Sequence, residues 1–390
     1  MTKHSDREFH LFHALTFSLA HLFHDSFTAF LPPLLPLLIS SMGLSYSMAG
    51  LLMVFFRLPS LLNPLIGLLA DRFSLRFLVV LTPAVTAVAM SLLPLAPGYG
   101  MLTLLLLIAG LSSAAFHVPT PVLVRHCSGD RIGTGMSLFM VGGEASRSLG
   151  PLLFLAAVSL WGPEGVWRLI VLGLAASLVL YLRMRSLPAR PAGRSITARV
   201  RLRTLLVRLR RLYMVIAGLT LSRTILVAAL TSFLPTYLTT RGASLWLAGA
   251  ALSVLELAGA VGTLGGGIIS DRLGKRSLLL IAGSAYPLFM LLFIFVQGWL
   301  TFPLLIALGL FLFSTQPVLM TMVQNEGQFA PALANGVYMT LSFAITSLVT
   351  LLIGFLGDRI GLNATYTICA LISLVGIPFA LLLPRDSSRS

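Results

Sequence analysis

The sequence predicts an all-α membrane protein of twelve transmembrane helices in two pseudo-symmetric six-helix bundles. Three observations carry that expectation. Of 390 residues, 57% are hydrophobic and 10% charged, a balance that water-soluble domains do not carry. The apolar residues gather into about twelve runs of bilayer-spanning length. Short motifs of the first half recur about 200 residues further on. Mean hydropathy is +0.95, and twelve crossings of about 20 apolar residues each, with their turns, use nearly the whole chain. A separate soluble catalytic domain is thereby excluded. Each run must be helical, because backbone polar groups in hydrocarbon need internal partners and the runs lack the alternation of barrel strands.

The N-terminal segment, Met1 to His13, is polar and shows no pattern of a cleaved signal peptide. Run 10–39 then carries His21, His24 and Asp25 before Leu31-Pro32-Pro33. Runs 47–69 and 76–96 flank Asp71-Arg72, run 100–124 holds His117 and Pro119, and run 134–160 is interrupted by Glu144 and Arg147. Run 165–184 closes an N-terminal bundle of residues 1–185. Residues 186–211 read as a basic cytoplasmic linker, since the stretch Arg183 to Arg211 has ten arginines, two prolines and no acid. Anionic lipid is its expected contact. The C-terminal bundle, 212–390, comprises runs 212–239 with Arg223, 246–269 with Glu256, 277–297, 299–323 with Gln316, 332–356 and 362–383.

The net charge of +15 is nearly all arginine, with Lys3 and Lys275 the only lysines. With the N-terminus inside, 21 of the 27 basic residues fall on the cytoplasmic side and three on the outer side. That asymmetry puts both termini in the cytoplasm and accounts for the basic excess without nucleic acid. Cys127 and Cys369 lack metal-type spacing, so neither a disulfide framework nor a zinc site is expected. No cofactor or metal is expected.

Gly67-Leu68-Leu69-Ala70-Asp71-Arg72 recurs as Gly267-Ile268-Ile269-Ser270-Asp271-Arg272, and Phe30-Leu31-Pro32 as Phe233-Leu234-Pro235. Two parallel repeats imply a pseudo-two-fold axis along the membrane normal, the plan of alternating access. In the repeated loop, Gly lets helix ends approach, Asp accepts hydrogen bonds at a helix N-terminus and Arg pairs with acids or carbonyls. Gly67, Asp71 and Arg72, with Gly267, Asp271, Arg272, Gly274, Lys275 and Arg276, are thus expected to latch one conformation. A third, weaker echo, Gly354-Phe355-Leu356-Gly357-Asp358-Arg359, falls on the outer side.

At these residues the chain resembles the major facilitator superfamily, whose loops between helices two and three and between eight and nine carry this doubled motif. Within it, His21-Leu22-Phe23-His24-Asp25, Leu31-Pro32-Pro33-Leu34-Leu35-Pro36, Phe116-His117 with Pro119, and Gly142-Gly143 leading to Gly150-Pro151 are similar to the fosmidomycin-resistance type of drug exporter. The resemblance implies proton-driven export of a phosphonate-like or other small toxic compound from a bacterial inner membrane, by a monomer. Two departures bear on coupling. No Arg stands near Ala109-Gly110-Leu111-Ser112-Ser113, where many antiporters have one, and Ser146 replaces a usual Gly of the helix-five motif.

Ionisable groups at mid-span cost several kcal/mol unless paired, so each is a functional candidate. Asp25 is the expected proton carrier, with His21 one helical turn earlier and His24 adjacent. The bland alternative locks Asp25 to Arg57 or Arg223. Glu144, three residues from Arg147, either neutralises it statically or switches partners while the guanidinium binds an anion. Arg57 and Arg223 are rival anion contacts, and Glu256, opposite in charge at the position equivalent to Arg57, hints at a pair across a central cavity. His117 and Gln316 lie beside the matched prolines Pro119 and Pro317, as substrate contacts or as satisfied interhelical hydrogen bonds. The run Gly259 to Gly267 is expected to serve close helix packing, since a phosphate loop needs a Lys-Ser/Thr that is missing. A transporter of a small molecule and protons is the reading that remains, with direction unwritten and uptake of an organic acid or phosphate ester as the alternative. A membrane enzyme would need a nucleophile with its base, a metal cluster or a phosphate loop, and none is read.

Overall fold

The structure is a computed structural model, and it describes residues 10–63, 65, 66, 69, 76–129, 131–185, 210–326 and 331–383. The first run divides into α1 (Leu11–Thr28) and α2 (Leu31–Met42), with Pro32 and Pro33 in the first turn of α2, where a missing N–H is tolerated. α3 (Tyr46–Arg57) ends in a 3₁₀ turn, Leu58–Leu62, and α4 (Arg76–Ser91) follows. The fourth run is two helices, α5 (Tyr99–His117) and α6 (Thr120–Cys127). Pro119 lies at the junction, so His117 is the last residue before a break that the sequence presents as a bend. α7 (Ile132–Trp161) and α8 (Ile170–Met184) complete the first half.

The second half runs α9 (Arg210–Thr240), α10 (Leu245–Leu273), α11 (Lys275–Phe295), α12 (Thr301–Glu326), α13 (Pro331–Ser373) and α14 (Gly376–Leu381). α13 holds two crossings: Gly361, at φ 79° and ψ 158°, interrupts it between the predicted runs 332–356 and 362–383. Gly274, at φ 88°, likewise turns α10 into α11, a conformation that disfavours a side chain. Among the described residues nine helices are long and apolar enough to cross a bilayer, and Tyr46–Leu62 is a shorter apolar segment. With α7, thirty residues long, and the division of α13, the twelve crossings of the prediction are present. Leu160 and Phe295 are more than two-thirds exposed, as lipid-facing side chains are.

The chain forms two compact units, one within Met1–Leu38 and Val54–Ser195, the other within Ile39–Met53 and Ile196–Ser390. In the first, α1 packs along α7, and α4 packs on α5 and α8. Backbone approach sets the α1–α7 contact: a Cβ at Gly142 would stand 2.1 Å from the Ser18 carbonyl oxygen, and one at Gly150 2.4 Å from that of Ser26. In the second, α10 packs on α12 and α9 on α13. Gly262 and Gly266 meet the Leu310 and Ser314 carbonyls in the same way, at 2.4 and 2.3 Å. The glycine run of α10 therefore packs as expected on one face, but a Cβ at Gly267 would meet nothing within 4 Å.

Of the expected latch, Gly67, Asp71 and Arg72 lie outside the described residues, as do 186–209 of the linker. Asp271 and Arg272 stand exposed at the end of α10, and Lys275 and Arg276 begin α11. The role anticipated for a motif aspartate is filled in the second unit by the third echo. Asp358 accepts hydrogen bonds from the backbone N–H groups of Tyr46 at 2.6 Å and Ser47 at 2.9 Å, and from the Ser47 hydroxyl. Gly354 lets the Tyr46 carbonyl approach to 2.5 Å of where its Cβ would be. The carboxylate thus caps α3 and ties segment 39–53 to the second unit. Asp358→Ala is expected to lose about 1 kcal/mol of capping energy there. Hydrogen exchange read by mass spectrometry should quicken at Tyr46 and Ser47 and stay unchanged in α10 and α12.

Candidate functional site

The first unit brings three donor atoms to one point. His21 and Asp25, one turn apart on α1, place Nε2 and Oδ2 3.1 Å from each other. His117 enters from the end of α5, its Nε2 3.2 Å from His21 Nε2 and 3.2 Å from Asp25 Oδ2. His21 is buried against Phe139, ring centroids 4.1 Å apart, and its Nδ1–H donates to the Phe139 carbonyl of α7 at 2.9 Å. His117 Nδ1–H donates to the Ser113 carbonyl, also at 2.9 Å. A carbonyl only accepts, so both imidazoles carry a proton on Nδ1. In the neutral ring the Nε2 lone pairs then face each other and the carboxylate, three acceptors with no hydrogen between them.

Gly143 makes the room. A Cβ there would lie 2.4 Å from His21 Cε1, so the ring occupies the space a side chain on α7 would take. His24 is fully buried and stacked on Phe116 with centroids 4.4 Å apart. Its Nε2 is 3.9 Å from Asp25 Oδ1, beyond hydrogen-bond reach, so it stands behind the triangle.

Two further groups carry charge. Glu144 and Arg147 on α7 form an ion pair, with the Arg147 side chain 42% exposed. In the second unit, Arg223 on α9 donates from Nη2 to Gln316 Oε1 at 2.7 Å and from Nε to the Leu312 carbonyl at 3.2 Å, with its guanidinium 5.6 Å from the Phe313 ring centroid. Arg57 ends α3, half-buried, and Glu256 is buried on α10. These two belong to different units.

The family model of the Major Facilitator Superfamily matches residues 17–350. The chain belongs to that superfamily. It is a multi-pass membrane transporter and not an enzyme. It is 26% identical over 381 residues to the fosmidomycin resistance protein of Escherichia coli (strain K12), covering 95% of this chain and 92% of that one. Among solved structures, the bacterial homolog of the human lysosomal transporter Spinster, inward-facing and occupied, superposes with a TM-score of 0.80 at 15% identity, over 96% of this chain and 97% of the other. A D-xylose-proton symporter gives 0.71 at 14% identity, over 96% and 98%.

The fold brings several of the expected site residues together. Asp25 has the imidazoles of His21 and His117 as partners. His117, expected beside Pro119 as a substrate contact or as an interhelical hydrogen bond, makes such a bond to Asp25 across 92 residues of chain. No metal-type donor set is legible in the sequence because α1 supplies two donors and the third comes from another helix. The fold assembles all three. Sequence reasoning also missed Gly143, Phe139 and Ser113, whose parts are a void and two carbonyls; Gly142-Gly143 was the signal, read only as a family likeness. A second polar cluster was missed as well: Arg241 donates to the Tyr237 hydroxyl at 2.8 Å, Tyr237 to Asn363 at 3.0 Å, and Tyr237 stacks on Tyr366 at 4.2 Å. Gly143→Ala is expected to destabilise by about 1–3 kcal/mol through overpacking of the His21 ring. In a double-mutant cycle on thermal melting, the penalty should vanish in the His21→Ala background.

Proposed function

We propose that this transporter is a proton-coupled exporter of small anionic or phosphonate-like toxic compounds. It works as a monomer by alternating access in a bacterial inner membrane, with both termini in the cytoplasm. The observation that carries the reading is the triangle of His21, Asp25 and His117. Three acceptors 3.1–3.2 Å apart repel unless a cation lies among them, and a proton on either Nε2 turns that imidazole into the missing donor. A proton bound there gives the positive charge that Asp25 requires inside the membrane, and its release on the other side completes a coupling cycle. His24, next to Asp25 in the chain, and Glu144, next to the Gly143 that packs on His21, are the further stations of the proton.

Direction is supported by the likeness to a resistance protein over 92% of its length, since resistance follows from removal. Anionic cargo is supported by the arginines. Arg147 holds an exposed fork that a phosphonate or carboxylate can take from Glu144, and Arg223, steadied by Gln316, is a rival anion contact. Arg57 and Glu256 complete the expected substrate contacts. Uptake of an organic acid or phosphate ester uses the same residues in the opposite direction, and the fold likeness to a proton symporter keeps that reading beside export.

Cells expressing the protein, challenged with phosphonate, carboxylate and cationic toxicants, distinguish these readings. Tolerance confined to the anions is expected; sensitisation would establish uptake, and tolerance to cations alone would remove the anionic cargo. In liposomes, Asp25→Asn should abolish gradient-driven accumulation while leaving exchange, and full accumulation by that variant would end the coupling assignment. Arg147→Ala should weaken anion affinity about tenfold or more, the worth of a lost charged hydrogen bond. Unchanged affinity with a lowered melting temperature would make the Glu144 pair structural.

A further inference from the structure

We propose that His21, Asp25 and His117 form a binding site for one divalent transition-metal ion of the zinc class, with three protein ligands and a fourth position left for water or an anion. The argument is geometric. Around a tetrahedral ion with bonds of about 2.0–2.1 Å, ligand atoms stand roughly 3.3–3.4 Å apart. The three atoms here form a nearly equilateral triangle with sides of 3.1, 3.2 and 3.2 Å. An ion seated about 1 Å off the plane of that triangle reaches all three at bonding distance, with side-chain shifts of only a few tenths of an ångström.

The surrounding shell fits as well. Metal-bound imidazoles commonly donate their other N–H to a carbonyl or carboxylate, which fixes tautomer and ring orientation. Both imidazoles do so here, His21 to Phe139 and His117 to Ser113. Two imidazoles and one carboxylate favour zinc, cobalt, nickel or copper over magnesium or calcium, which take oxygen sets. One negative ligand against a divalent ion leaves a net positive site, hospitable to an anion in the open position. His117, with a 38% exposed side chain against 6% for His21 and 16% for Asp25, is the member through which an ion enters.

The inference depends on the triangle alone, not on the direction, cargo or coupling of transport, and it is read without gradient or cargo. The protein, purified on a non-histidine tag in detergent, is titrated with Zn²⁺ by calorimetry and with Co²⁺ by visible absorption, which reports tetrahedral coordination. His4, His10, His13 and His126 are first replaced by Ala, so that only His21, His24 and His117 remain. One ion per chain, a tetrahedral cobalt spectrum and a raised melting temperature with Zn²⁺ are expected. His117→Ala should weaken zinc binding at least about tenfold. If that variant does not fold, His117→Gln, which keeps a polar group at the helix end, serves in its place. Absence of zinc binding in the four-histidine-free protein, or affinity unchanged by loss of His117, would overturn the site. His24→Ala should leave the cobalt spectrum unaltered; a changed spectrum would overturn the ligand assignment.

Discussion

Asp25 lies within the first membrane-crossing run, and a carboxylate at that depth persists only with a positive or hydrogen-donating partner. The first unit is arranged around meeting that demand. α1 supplies His21 one turn away, α5 stops at His117 two residues before Pro119, and α7 offers the Phe139 carbonyl that orients the His21 ring. Each imidazole has one nitrogen committed to the backbone and one turned to Asp25.

That arrangement requires α1 and α7 to touch backbone to backbone. Gly142 and Gly150 permit the contact on either side of Gly143, which yields its side-chain space to His21. Small residues act this way between membrane helices because lipid is as apolar as leucine, and close packing replaces the hydrophobic effect as the cohesive force. The second unit repeats the device between α10 and α12 through Gly262 and Gly266. At Asp358 the same economy of polar groups appears at a helix end, where one carboxylate satisfies two backbone N–H groups of α3.

The remaining intramembrane charges follow the same constraint by different means. Glu144 and Arg147 neutralise each other one turn apart on α7, an arrangement a helix permits with no help from its neighbours. Arg223 is held by a carbonyl and an amide oxygen of α12 and lies against the face of Phe313.

The composition and spacing of the chain were enough to establish the crossings, the doubled motif and the superfamily, because hydrocarbon thickness imposes a length and a polarity that any sequence must display. Pairings local to one helix, His21 with Asp25 and Glu144 with Arg147, were legible for the same reason: helical periodicity places them together. Tertiary structure alone decided that His117 completes the Asp25 group, that Gln316 steadies Arg223, and that Asp358 caps α3. Those contacts join helices about 90 to 310 residues apart in sequence, and they depend on which helix faces meet and how closely, which glycine voids and a proline break set only once the bundles are packed.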